Sequence, residues 1–307
     1  MGIVGITVQQ IFKMFLLILV GVLCYKVKIL DTNKSKTLSD ILLKIVTPAL
    51  IFSSFQTDFE FDLVKGFLIS IVLTAVSLSL AVILAHIFVP KKQGYDNRVE
   101  RFASMFNNCG FMGIPLAYGI FGSEGVFYIV GYNLLFDLIV FSIGESYMKG
   151  QKATGVVGVL KQMVNPATIA SIVGVLCFVL QIRVPAIIEE PIEMVADMNT
   201  PLAMMAAGVS VARSDFKKLF KNVRLFYVSA VRLLIIPIAY TLLLKFFPIP
   251  DTVYMTCVLA AACPAGTLAV IFSVMYDRDD VYGSELFSIT TILSIVTIPL
   301  VVAIAAL

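Results

Sequence analysis

The sequence predicts an all-α integral membrane fold: ten transmembrane helices in two inverted five-helix repeats, with broken helices that cross. Three observations lead there. Of 307 residues, 59% are hydrophobic and only 14% charged, too few polar positions to give every element of a soluble domain a wet face. Apolar runs of roughly 20 residues, the length that spans a bilayer, recur along the whole chain. Finally, the loops between them alternate between basic and acidic or nearly uncharged.

The elements follow in order. Span one, 7–29, begins close to the N-terminus, but Lys26, Lys28, Lys34 and Lys36 follow it rather than a small-residue cleavage site, so it reads as a span and not a signal peptide. Lys13 near its outer end snorkels. Span two, 37–55, carries Asp40 and Lys44 one turn apart and leads into the acidic QTDFEFD (Gln56–Asp62). Span three, 63–89, opens on Asp62 and Lys65, spaced to pair on one helical face, and is followed by Lys91, Lys92, Arg98 and Arg101. Span four, 99–121, contains MFNNCGFMGIPLAYG (Met105–Gly119). Span five, 124–147, holds Asp137 and Glu145 and precedes Lys149, Lys152 and Lys161.

Span six, 163–182, leads into VPAIIEEPIE (Val184–Glu193), read as a loop. Span seven, 191–212, includes AMMAAGVSVA (Ala203–Ala212), whose small residues permit close helix approach; Arg213, Lys217, Lys218, Lys221 and Arg224 follow it. Span eight, 222–247, contains Arg232. Span nine, 252–275, contains AACPAGTLAV (Ala261–Val270) and precedes Arg278; span ten covers 283–306. Basic loops face the cytoplasm, so both termini are expected outside a plasma or inner membrane.

A repeat is written across this pattern. VGVLC occurs at Val20–Cys24 and again at Val173–Cys177, an offset of 153 residues. The same offset carries Thr47-Pro48 onto Thr200-Pro201, Asp62 onto Asp215 and Gly113 onto Gly266. The repeats are therefore 1–153 and 154–307. Five spans in each half invert the second copy, the architecture of secondary transporters whose discontinuous helices meet at the midplane.

Spans four and nine carry the breaks. Proline and glycine in mid-membrane free backbone groups that lipid cannot satisfy, so such breaks survive where protein or a wet cavity serves them. Each break creates a helix N-terminus with about half a positive charge on free N–H groups, and Pro115 suits a first helical turn. Two such ends make an anion site without a fixed cation. Asn107 and Asn108 add amide donors and Thr267 a hydroxyl. The candidate substrate site is Asn107, Asn108, Cys109, Gly110, Gly113 and Pro115 with Cys263, Pro264, Ala265, Gly266 and Thr267.

NCGFMGIPLAYGIFG (Asn108–Gly122), VRLLIIP (Val231–Pro237) and ACPAGTLAVIFSVMY (Ala262–Tyr276) resemble the fourth-, eighth- and ninth-span signatures of the auxin efflux carrier family. That family includes plant PIN-type carriers and bacterial malonate and other carboxylate transporters. The similarity runs from KIVTPAL (Lys44–Leu50) to IVTIPLV (Ile295–Val301). It implies the sodium/proton-antiporter-like fold, often dimeric, with spans one, two, six and seven as scaffold and the other six carrying substrate by an elevator movement. By the same resemblance, Asn108 and Pro115 fall on one crossover and Pro264 and Gly266 on the other, and an acidic–basic pair in the region of Asp62 and Lys65 lies near the substrate. The short linker, about Lys149 to Gln162, points to a bacterial-type member rather than a long plant carrier.

Ionisable groups inside the bilayer are costly and call for a reason. Arg232 either neutralises a substrate or mobile carboxylate, or tethers the carbonyls of a broken helix; both readings stay open. Asp137 is deep enough for proton coupling, whereas Glu145 is expected to be solvated. Asp40 with Lys44, and Glu193 with Asp197, suit interface or interhelical pairing.

The expected partners are a small mono- or dicarboxylate, the lipid bilayer and a second copy bound through scaffold helices, with no nucleic acid. No cofactor is implied, and five cysteines without CxxC spacing beside a single histidine, His86, offer no metal site. An intramembrane enzyme would need a serine–histidine pair or GxGD, and an ATP-driven pump would need GxxxxGK[ST]; neither pattern occurs. A sodium-coupled symporter of the related bile-acid-type fold, or a channel or receptor, are the competing readings.

Overall fold

The computed structural model describes residues 2–150, 165–214 and 216–307. Lys152, Lys161 and most of the expected linker, and the repeat match at Asp215, lie outside the described residues. Among those described, the regular elements are all helices. They are α1 (Ile3–Lys26), α2 (Lys34–Ser54), α3 (Phe61–Phe88), α4 (Asn97–Met105), α5 (Cys109–Lys149), α6 (Pro166–Leu180), α7 (Ala186–Ala196), α8 (Asn199–Ala212), α9 (Val223–Leu244), α10 (Asp251–Ala262), α11 (Leu268–Met275) and α12 (Asp280–Ala306), with a short helix at Phe216–Lys221.

Six of these, α1, α2, α3, α5, α9 and α12, are long and apolar enough to cross a membrane. The expectation of ten spans and the count of six differ for local reasons. At 41 residues, α5 is twice the length a bilayer needs, and Gly122 divides it at φ 62, ψ −146, a conformation that only glycine adopts readily. The rest of the difference lies where spans six, seven and nine were expected: α6 has 15 residues, and the other two segments are each interrupted. Span seven also starts earlier than its expected limit, because α7 takes up the acidic stretch read as a loop, with Pro191 inside it. The turn between α7 and α8 precedes Thr200-Pro201, and in α2 a wide turn over Leu42–Val46 precedes Thr47-Pro48. Asn199 Nδ2 donates to Thr47 Oγ1 at 2.8 Å and ties the two places together.

Close helix packing is bought with glycine. A Cβ on Gly21 would lie 2.3 Å from Met205 O, and one on Gly208 2.2 Å from Ile18 O, so α1 and α8 touch backbone to backbone. On α6, Gly174 lies under the Phe55 ring, which follows α2. Exposed Leu16, Leu23, Val72, Ile83, Leu176 and Leu180 give the outer faces a lipid-compatible surface. The buried centre is formed where α5, α9, α10 and α12 converge, around Leu116, Ile129, Tyr132, Val231, Tyr240, Val258 and Ile289.

One buried ion pair binds three helices. The Arg224 guanidinium of α9 donates to both Glu100 oxygens of α4 at 2.7 and 2.8 Å and to Pro90 O at 2.8 Å. The Tyr282 hydroxyl of α12 donates to the same carboxylate at 2.9 Å. Removing one partner leaves a buried charge unpaired, at a cost of roughly 3–5 kcal/mol. Glu100→Ala is therefore expected to lower the thermal unfolding midpoint of the detergent-purified protein strongly. The double variant Glu100→Met with Arg224→Met should recover most of that loss, as read from the same melting curves.

Candidate functional site

The site is built where two helices stop. Cys263 precedes a proline, which excludes it from helical backbone, and it is extended at φ −59, ψ 149. Phe106, after α4, is extended at φ −108, ψ 117. The two extended stretches pair antiparallel, with Asn107 opposite Ala265. Asn108 N donates to Pro264 O at 2.9 Å and Gly266 N to Phe106 O at 3.0 Å. Each break thus supplies the hydrogen-bond partners that the other break needs. Glycine is required at Gly266, because a Cβ there would stand 2.7 Å from Asn107 O.

The two adjacent asparagines do different work. Asn107 is fully engaged: its Nδ2 donates to Ala260 O at 2.9 Å and to the Tyr132 hydroxyl at 3.3 Å, and its Oδ1 accepts from Cys109 N at 3.2 Å. Asn108 is 6% exposed, and among the described residues its carboxamide has no hydrogen-bond partner.

Arg232 holds the opposite side of the crossing. It lies in a wide turn of α9 and is 1% exposed. Its Nε and one terminal nitrogen donate to Cys263 O at 3.1 and 2.9 Å, the other terminal nitrogen donates to Ser104 O at 3.1 Å, and Ala261 O accepts as well. Those carbonyls belong to the ends of α4 and α10. Two helix C-termini carry together roughly one negative charge, so the guanidinium is compensated without a carboxylate. In this structure Arg232 ties the carbonyl ends of α4 and α10 together and forms no ion pair with a carboxylate among the described residues.

The N-terminal ends face a cavity of about 370 Å³. Helix α5 begins at Cys109 through a wide turn over Cys109–Gly113, in which Met112 N and Gly113 N both donate to Asn108 O. Pro115 stands where the wide turn gives way to regular helix. Asn107, Asn108, Cys109, Gly110, Gly266 and Thr267 line the cavity; Gly113, Pro115, Cys263, Pro264 and Ala265 stand behind it. Gly113 makes room, since a Cβ there would lie 2.9 Å from Ile129 and 3.4 Å from the Cys263 sulfur. The start of α6 also reaches the cavity, with Asn165 capping it by accepting from Thr168 N at 3.0 Å.

The charged candidates separate. Asp137 lines the same cavity, and so does Lys44, which pairs with Asp40 at 3.0 Å. Asp62 lines a different cavity of about 330 Å³ with Glu60 and Glu124, forms no ion pair with Lys65 among the described contacts, and is not brought to the crossing. Glu145, expected to be solvated, is 5% exposed and accepts from the Tyr276 hydroxyl, because the loop after α11 folds over it. Asp197 accepts from the Tyr118 hydroxyl at 2.9 Å, an interhelical pairing of the expected kind. Among the described residues no His, Cys, Asp and Glu cluster suits a metal ion.

Sequence reasoning passed over Asn133, which lines the cavity one turn from Asp137 on α5. Its signal was that spacing: two polar residues on one face of an otherwise apolar span. Lys44 was noticed but assigned to the scaffold.

Long apolar helices, a pair of interrupted segments and a mainly apolar cavity with a few polar groups between them define a multi-pass membrane transport protein. The chain belongs to the membrane transport protein family, the auxin efflux carrier family, whose model matches residues 6–302. It is similar to an uncharacterised transporter of Methanothermobacter thermautotrophicus, 25% identical over 301 residues, covering 95% of this chain and 96% of the other. A second uncharacterised transporter, from Methanocaldococcus jannaschii, is 24% identical over 310 residues, covering 96% and 97%. A protein of Rhizobium meliloti named as a candidate malonate transporter is 22% identical over 270 residues, covering 85% and 84%.

Replacing Arg232 leaves several buried carbonyls unpaired, each worth roughly 1–3 kcal/mol. Arg232→Gln is expected to lower the unfolding midpoint sharply, and Arg232→Lys to restore only part of it, since one ammonium cannot span the same carbonyls. Differential scanning fluorimetry of the purified variants checks this ordering.

Proposed function

We propose that this chain is a secondary transporter of small organic anions, mono- or dicarboxylates, which bind at the crossing of residues 106–108 and 263–266. The observation that carries the reading is the Asn108 carboxamide, nearly buried, unpartnered among the described residues, and lining a cavity between two helix N-termini. Amide donors and positive helix ends favour a negative guest. The name of the Rhizobium relative supports a dicarboxylate.

The chain crosses the membrane ten times in two inverted repeats, 1–153 and 154–307, with both termini outside a plasma or inner membrane. Two observations support the inversion. The Asn107–Ala260 hydrogen bond joins residues 153 apart, the same as the repeat offset, as expected near an axis relating the halves. Helix α1 packs on α8 and α2 on α6, so the first span of each half meets the second span of the other. Spans one, two, six and seven form the scaffold and homodimer contact, and the remaining six move with the substrate in an elevator-type exchange. The cavity is bounded by the start of α6 and by Ile271 of α11, on the side of the basic loops, which supports an inward-facing state.

Substrate-driven counterflow in proteoliposomes tests for a carrier, since a channel or receptor gives no exchange. In titrations with malonate, Asn108→Ala should weaken binding roughly tenfold or more, the worth of a hydrogen bond to a charged group. Asn107→Ala should instead lower the unfolding midpoint, because it removes bonds within the crossing. An unchanged malonate affinity in Asn108→Ala would move the site away from this asparagine.

A further inference from the structure

The cavity holds two groups that anion binding does not use. Asn133 and Asp137 are one helical turn apart on α5, on the same face, and both line it. Asn133 Oδ1 is buried without a hydrogen-bond partner. Among the described residues the Asp137 carboxyl makes neither an ion pair nor a hydrogen bond. An ionised carboxylate only accepts, so it cannot satisfy an orphaned carbonyl; a protonated one carries an O–H that can. The orphan oxygen is the observation that points to a missing proton.

Among the described residues the surroundings offer no better partner. Lys44 on α2 is, among the described residues, the cation of the cavity wall, and it is engaged by Asp40. The thiol of Cys109 stands at the start of the same helix. Tyr132 bonds Ser77 and Asn107, Glu145 is taken by Tyr276, and Arg232 of α9 is committed to backbone carbonyls. Asp62, Lys65 and His86 fall near the ends of α3, Asp251 opens α10, and Lys13 of α1 is exposed. Among the described residues Asp137 is the carboxyl group that shares the cavity wall with the crossing.

We infer that Asp137 and Asn133 form a proton site coupled to the anion. A proton from the solution on the open side bonds to an Asp137 carboxylate oxygen, and the resulting O–H donates to Asn133 Oδ1. The proton comes from a hydronium ion, whose O–H bond breaks to leave water, and the wall loses a negative charge before a negative guest arrives. One anion then binds with one proton, which makes the cycle a proton symport. This rests on reading the cavity as an anion site.

Two measurements on the full chain in lipid nanodiscs, in sodium-free choline buffer, decide it. Infrared difference spectra on acidification should show the C=O stretch of a protonated carboxyl that Asp137→Asn removes and Asn133→Leu shifts to higher frequency. Malonate titrated across about pH 5 to about pH 8 should bind about tenfold more weakly per pH unit above the titration of the site, the slope for one linked proton, and Asp137→Asn should flatten that slope. A band unaffected by both variants overturns the proton site. A flat wild-type profile overturns the coupling, as does tighter binding when sodium replaces choline with no pH slope. If malonate does not bind at any pH, the coupling falls with the anion reading, and the infrared result separates that failure from absence of the proton site.

Discussion

A buried arginine holding the cut ends of two helices is the interaction on which the rest of this structure depends. Lipid offers no hydrogen bonds, so a chain that interrupts a helix in mid-membrane must find partners for every freed group within itself. Here the solution is divided by polarity. The carbonyl ends of α4 and α10 converge on Arg232, and the short stretches between helices bond to one another. The amide ends that begin α5 and α11 are turned the other way and left for a cavity. Charge on one side is neutralised permanently, and charge on the other side stays available.

This division explains why polar residues so near to one another have different fates. Asn107, Tyr132, Ser77 and Thr290 are spent on the crossing itself. Asn108, Asn133 and Asp137 face the cavity with bonding capacity unused. The first set makes the geometry rigid, and the second is left with unfilled hydrogen-bonding capacity at the cavity wall. The Glu100–Arg224–Tyr282 cluster repeats the principle at the cluster where α4, α9 and α12 meet, away from the cavity, with every partner internal.

Much of this was legible in one dimension. Membrane residence follows from composition, because hydrophobic content and run length are local properties. The paired breaks were visible as Pro264 and the Asn-Asn-Cys-Gly stretch, since proline and glycine act on the backbone wherever they stand. What could not be read was the use of each polar side chain. Arg232 looked equally suited to a substrate and to a carbonyl, and Glu145 looked solvated because its cover comes from Tyr276, distant in the chain. Asn107 and Asn108 were indistinguishable neighbours, and Asn133 drew no notice. A hydrogen bond depends on which atoms lie within about 3 Å, and for these residues those atoms come from other helices.

The amino-acid sequence by itself determined that the chain is helical, lives in lipid and is broken at two places, because solvent preference and backbone freedom are set residue by residue. Only the tertiary structure decided that the breaks bond to each other, that Arg232 closes their carbonyl side, and that Asn108 rather than Asn107 remains unspent. Those outcomes depend on distances between separate segments of the chain, and no periodicity or spacing within one segment encodes them.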